Sequence, residues 1–380
     1  MQTLFQKKNK RIKLMPIIAG LLFFLVYFFI FAIPLQKELR IHIQWLIDLS
    51  DSSITESGSA GIDVLESTHA FSIGDQPGDH FGYFTDQGQA VFLKQIEERD
   101  DIPFRVTVSD RGFIYYAVTY TDLVYRDQMG NEKKIYKKPG PGFPLLTQDG
   151  KRLFMIKTDL SGLKELDVSG ELLWNTDVPS WITSLDYTDD FVICGLGDGT
   201  VNIFDEQGNT VSNFSVQRSG VDCIYGVTFS KNNELFAGIA GVEPQYLFLG
   251  EVKNQEKPVS HFIQLDSDFR KEVRINFSDD GKLLFYEGEK AFNIFNVDSK
   301  EIVSFPLLGN INSFAYIGKI GVAAVVSGHN NFHEIVLLIP GSSSLFKDYF
   351  SGQKIYLSSA GNHLFFGVDN KIIRFDLVEE

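Results

Sequence analysis

Apolar residues follow two distinct patterns along this chain. Leu14 to Leu35 is a run of 22 residues without a charge. From residue 67 onward the apolar runs are only four to seven residues long, and polar turns separate them. That second pattern predicts an all-β protein of many short strands. One unit recurs in it: Ser or Thr, two polar residues, Gly or Asn, then an apolar run. It occurs as Ser109-Asp-Arg-Gly112 before FIYYAV and Thr147-Gln-Asp-Gly150 before RLFMI. It returns as Ser230-Lys-Asn-Asn233 before ELFAGIA, Ser278-Asp-Asp-Gly281 before LLFY and Ser358-Ser-Ala-Gly361 before HLFFGV. Shortened forms fall at Thr188–Asp190 and Gly318–Ile320. Turn chemistry explains the unit: Gly and Asn accept positive φ, while Ser, Thr and Asp side chains bond nearby backbone amides.

The turns centre on residues 112, 150, 190, 233, 281, 320 and 361, a mean repeat of about 41 residues. Four short strands per repeat of that length is the signature of a β-propeller, and no helical period accompanies it. The strand after each turn is apolar on both faces, as in Phe191-Val-Ile-Cys194 and Val322-Ala-Ala-Val-Val326. Such a strand must be pressed between two neighbouring sheets, so stability depends on closing the ring. The expected fold is a propeller of seven four-stranded antiparallel blades within residues 67–380. Residues 89–96 would complete a last blade at 352–380. The alternative is eight blades, the extra one built from two strand-like pieces in residues 69–85.

The first pattern predicts a transmembrane helix over Leu14 to Leu35. At 1.5 Å per residue it is about 33 Å long, enough to cross a hydrocarbon core of roughly 30 Å. It is longer than the apolar region of a secretory signal, the competing reading. Residues 1–13 form a basic segment with Lys7, Lys8, Lys10, Arg11 and Lys13. By the positive-inside bias they stay in the cytoplasm and the rest of the chain is extracytoplasmic, outside a cell or inner membrane. Residues 36–66 are expected to hold a short amphipathic juxtamembrane helix (Ile41 to Leu49) and a flexible Ser- and Gly-rich linker.

Two family resemblances rest on particular residues. The stretch Leu166-Asp167-Val168-Ser169-Gly170-Glu171-Leu172-Leu173-Trp174 resembles the blade motif of the PQQ-like propellers. Phe191 to Val211 is similar to both PQQ-like and WD-repeat blades, with Gly197, Asp198 and Gly199 at a hairpin and Phe204-Asp205 where a WD blade has Trp-Asp. The resemblance implies that Trp174 docks between adjacent blades and that Gly170 makes a hairpin. Asp167, Gly170, Trp174, Gly197, Asp198, Gly199, Phe204 and Asp205 are therefore the expected blade-docking residues. An extracytoplasmic propeller also resembles the bacterial lipoprotein propellers that help outer-membrane protein assembly, although here an apolar helix stands in place of a lipidated Cys.

Charge and candidate chemistry narrow the function. The chain has 380 residues, 35 basic and 49 acidic, for a net charge of -14. That acidity argues against nucleic acid as a partner. Two Cys, Cys194 and Cys223, exclude a disulfide scaffold and a multi-Cys metal site. They lack the adjacent Cys pair that the PQQ dehydrogenases show. His329, His333 and Glu334 lie in a segment that reads as a hairpin tip rather than a helical metal site. Gly195 to Gly199 lacks the Lys and following helix of a phosphate loop. No catalytic, cofactor or metal residue is expected. The favoured function is a membrane-anchored, non-catalytic protein-binding scaffold; the alternatives are a channel-mouth enzyme or small-molecule sensor, and a structural subunit of a membrane complex.

Overall fold

At Thr147, Ser230 and Ser278 the hydroxyl of the recurring unit closes its own turn. Thr147 Oγ1 donates to Asp149 Oδ1 at 2.8 Å and accepts from Arg152 N at 3.0 Å. Ser230 Oγ pairs in the same way with Asn232 and Leu235 N, and Ser278 Oγ with Asp280 and Leu283 N. The fourth position turns the chain at positive φ: Gly150 at 69°, Asn233 at 60°, Gly281 at 71° and Gly361 at 59°. These hairpins join the first two strands of successive antiparallel sheets.

The structure, a computed structural model, describes residues 39–49, 68–73, 79–85, 90–96, 98–99, 102–117, 122–137, 140–167, 170–254, 256–341 and 344–379. Among the described residues the sheets number eight, and the fold is an eight-bladed propeller. In chain order, blade 1 spans residues 68–95, blade 2 residues 98–136, blade 3 residues 143–177 and blade 4 residues 182–215. Blade 5 spans 221–265, blade 6 spans 275–306 and blade 7 spans 310–351. Blade 8 combines residues 355–379 with the strand Leu39–Asp48, which pairs outside Lys371–Glu379. Residues 41–377 make one compact unit.

Two expectations are thereby corrected. Seven blades become eight, because Thr68–Ile73, His80–Thr85 and Ala90–Gln95 pair with one another as a sheet of their own. Residues 89–96 therefore belong to blade 1 and do not complete the last blade. The expected juxtamembrane helix is instead the strand Leu39–Asp48. Its odd positions Trp45 and Ile47, and Leu49 directly after it, pack with Phe71, Phe84, Phe365 and Ile372. That is a period of two, which a helix cannot present to one core. The apolar run 14–35 and most of the linker, residues 50–66, lie outside the described residues. Among the described residues no helix is long and apolar enough to cross a membrane.

The cores lie between blades. Phe154, Leu163 and Trp174 of blade 3 share a cluster with Val192, Cys194 and Phe204 of blade 4. Ile193, Val201 and Ile203 of blade 4 point the other way, into a cluster with Ile224, Phe236 and Phe248 of blade 5. Alternate side chains of one strand thus serve two neighbours. The seam between blades 8 and 1 is aromatic: Phe84 stacks on Phe365 at 3.9 Å and on Phe71 at 4.4 Å. Lys354 of blade 8 forms an ion pair with the nearly buried Asp79 of blade 1. We expect Phe365→Ala to destabilise the protein by about 3–5 kcal/mol, and Ile43→Ala, at an exposed site, by under about 0.5 kcal/mol. Urea denaturation checks both, and equal effects would contradict the seam.

Candidate functional site

In an antiparallel meander the first strands of all blades run in one direction. One side of the wheel therefore gathers the turns between first and second strands, and the other gathers the blade-to-blade crossovers. On the turn side, blades 3 to 6 surround a cavity of about 480 Å³. Gln148, Asp149, Asp186, Tyr187, Lys231 and Asp279 are among its lining residues.

The shifted groups in this cavity are tied into the ring. Asp186 Oδ2 accepts Phe229 N of the next blade at 2.8 Å, and its Oδ1 accepts Tyr187 N at 2.9 Å. Burial raises its carboxyl above the usual range despite those bonds. Tyr187 is pushed up to about 12, chiefly by burial, and its hydroxyl accepts Gln148 N of the preceding blade at 2.8 Å. Asp149 feels the same desolvation, but Lys151 and Thr147 more than offset it and hold its carboxyl low. Asp279 lies 3.3 Å from Lys231. Ser184 Oγ accepts Val227 N across the same seam. The first strands thus hold each other by hydrogen bonds from side chain to backbone.

A buried polar clamp braces this rim. Arg152 holds Glu165 with a two-point fork at 2.9 and 2.8 Å. Its Nη1 donates to the carbonyls of Thr188 and Asp189, in the blade 4 turn, at 2.9 and 3.1 Å. Trp174 Nε1 donates to Glu165 at 2.8 Å. The guanidinium also lies 4.8 Å from the centre of the Phe154 ring.

The residues expected to dock blades take several roles. The buried Trp174 ring covers Gly208 of blade 4, where a Cβ would sit 2.6 Å from it, and approaches Phe204 at 6.3 Å. Tyr136 of blade 2 covers Gly170 of blade 3 in the same manner. Gly170 turns the chain at a φ of 85°. Asp167 and Asp205 cap equivalent hairpins: Asp167 accepts Glu171 N, and Asp205 accepts Gln207 N and Asn209 N. Asp198 accepts Thr200 N, and Gly199 adopts a φ of 81°.

Gly197 does something the sequence did not suggest. A Cβ there would sit 2.1 Å from the Trp181 ring, so the glycine is a seat for that indole. Gly197 N also donates to Trp181 O at 3.0 Å. Trp181 is nonetheless 56% exposed, on the crossover side. Val221, at the matching crossover of blade 5, is 54% exposed. Only the rarity of Trp in this chain, three in all, could have drawn attention to it.

Among the described residues no group of three or more His, Cys, Asp or Glu could hold a metal. His329 is exposed at the hairpin tip, whereas His333 is buried between Asn312 and the Gly352 carbonyl. Cys194 and Cys223 are both free, and burial pushes the Cys194 thiol up to about 12.

A family model described as "beta-propeller protein" matches residues 4–380, and the chain belongs to that family. A protein of Treponema pallidum (strain Nichols), described only as uncharacterized, is 21% identical over 360 residues, covering 94% of this chain and 92% of its own. The crystal structure of BamB from Moraxella catarrhalis superposes with a TM-score of 0.59 at 13% identity, over 89% of this chain and 100% of that one. At that identity the likeness speaks for the fold.

Removing Arg152 leaves Glu165 buried without its cation. We expect Arg152→Ala to cost about 3–5 kcal/mol, with Arg152→Lys, which keeps the charge and loses the fork, falling between it and the wild type. Equilibrium unfolding measures both; a loss under about 1 kcal/mol for Arg152→Ala would contradict the clamp.

Proposed function

We propose that this protein is a non-catalytic scaffold that binds other proteins, held at the outer surface of a cell membrane by the apolar run 14–35. The observation that carries the reading is the contrast between the two sides of the wheel. On the turn side the perturbed Asp186 and Tyr187 are consumed by bonds that hold the ring together. On the crossover side a large aromatic ring is left in solvent on a glycine seat that fixes its orientation. A rigid exposed Trp loses little entropy on contact, and Trp is enriched where binding energy concentrates. Trp181, with Val221 on the adjacent blade, is the contact we assign to a protein partner.

The cavity of about 480 Å³ supports a second reading, a small-molecule sensor on the turn side. Photo-crosslinking in intact cells separates the two. A crosslinking residue at position 181 should trap discrete protein species, and one at Leu173, also exposed but on the rim of blade 3, should not. Trapping at neither position would contradict the scaffold. Protease added to spheroplasts should reach the propeller; protection until the membrane is lysed would reverse the orientation.

A further inference from the structure

We propose that the turn-side end of the seam between blades 2 and 3 is a binding cleft for an organic carboxylate. The site is independent of the anchor and of the crossover-side contact at Trp181. The outer strand Glu132–Tyr136 of blade 2 and the turn at Gly150 of blade 3 border a cavity of about 210 Å³ there. Tyr125 and Lys134 stand opposite one another in the sheet register of blade 2, and Tyr136 lies two residues further along the same face. All three line the cleft, together with Lys133, Lys151 and Arg152. The buried Leu146 and Leu153, from the core that the two blades share, add an apolar lining.

Charge counting selects the ligand. Three of the four cations in the lining are already matched: Lys133 by Asp127 at 3.0 Å, Lys151 by Asp149 at 2.7 Å and Arg152 by Glu165 at 2.8 Å. Lys134 is the fourth, and among the described residues it has no ion-pair partner. The cleft therefore has one spare positive charge, which suits a monoanion and leaves a phosphate dianion half neutralised. Two flanking charges outside the lining offset each other: Arg111, exposed beside Gly150, and Asp167, near Tyr136. The chain is acidic as a whole, but charges further off are screened over about 8 Å at physiological salt. The phenols supply neutral donors. Burial raises both, and with the neighbouring Tyr125 and Asp167 it pushes Tyr136 up to about 12, so each keeps its proton at neutral pH. Tyr125 Oη donates to Arg111 O at 3.3 Å. The Tyr136 hydroxyl has no hydrogen-bond partner among the described residues and is the second donor, beside Lys134, for a carboxylate. The leucines and the phenol rings then cover a carbon stem, which inorganic phosphate lacks.

Calorimetric titration of the full-length protein in a nonionic detergent tests this, with phenylacetate, its uncharged amide phenylacetamide and phenyl phosphate as probes. We expect phenylacetate to bind one-to-one with a Kd below about 1 mM, and about tenfold more tightly than either of the others. Lys134→Met should weaken phenylacetate about fivefold and leave phenylacetamide unchanged. Tyr136→Phe, which keeps the ring over Gly170, should weaken phenylacetate about threefold. Lys137→Met, at an exposed lysine outside the lining, should change nothing. No saturable binding, equal affinity for acid and amide, or undiminished affinity in Lys134→Met would overturn the site. Tighter binding of phenyl phosphate would overturn its assignment to carboxylates. Displacement of phenylacetate by a short peptide ending in Phe, but not by the same peptide amidated, would identify the ligand as a partner's C-terminus. Displacement by neither would identify it as a free small acid; both results uphold the cleft.

Discussion

The structure depends on one constraint: every blade is apolar on both faces and stays dry only between two neighbours. Phe154 and Trp174 share a core with the next blade, and Ile193 and Ile203 with the one after. A sheet of this kind has no stable isolated form, so the ring has to close. It closes with the strand Leu39–Asp48 as the outer member of blade 8, sealed by stacked Phe71, Phe84 and Phe365. Cooperativity follows from this closure, since each blade is a wall of two cores.

Polar groups are used mainly to set the angle between blades. Asp186, Ser184 and Tyr187 bond the backbone of adjoining blades, and Arg152 reaches from its own Glu165 to two carbonyls of blade 4. Such groups carry shifted pKa values for structural reasons. The shift at Tyr187 would mark a reactive site if read alone, but its hydrogen-bond partner shows a locking role. The surface that the ring does not need, where Trp181 rests on Gly197, is the one we propose for recognition.

Much of the fold was legible because its turns are written in residue types. Six Ser/Thr turns stand in the sequence, and in the full unit a hydroxyl bonds the chain while a Gly or Asn takes positive φ, as at Ser230 and Asn233. Blade 1 was legible only as the eight-blade alternative, from the two strand-like pieces in residues 69–85, because no full version of that unit marks it. The strand Leu39–Asp48 escaped because IHIQWLIDL follows the long apolar run and was read as its continuation. The signal was present: Ile41, Ile43, Trp45, Ile47 and Leu49 alternate with the less apolar neighbours His42, Gln44 and Asp48, broken only at Leu46. The Arg152–Glu165 pair could not be read, because 13 residues separate partners that only the sheet register brings together. Trp181 is equally silent, as nothing local distinguishes an exposed indole from a docked one such as Trp174.

Hydrogen exchange in the full-length protein addresses ring closure most directly. If Leu39–Asp48 is the outer strand of blade 8, its amides should exchange slowly, with protection lost together with that of Lys371–Glu379 as denaturant rises. Amides of 39–48 that exchange at unprotected rates, while those of 371–379 remain slow, would show that the last blade is completed in some other way.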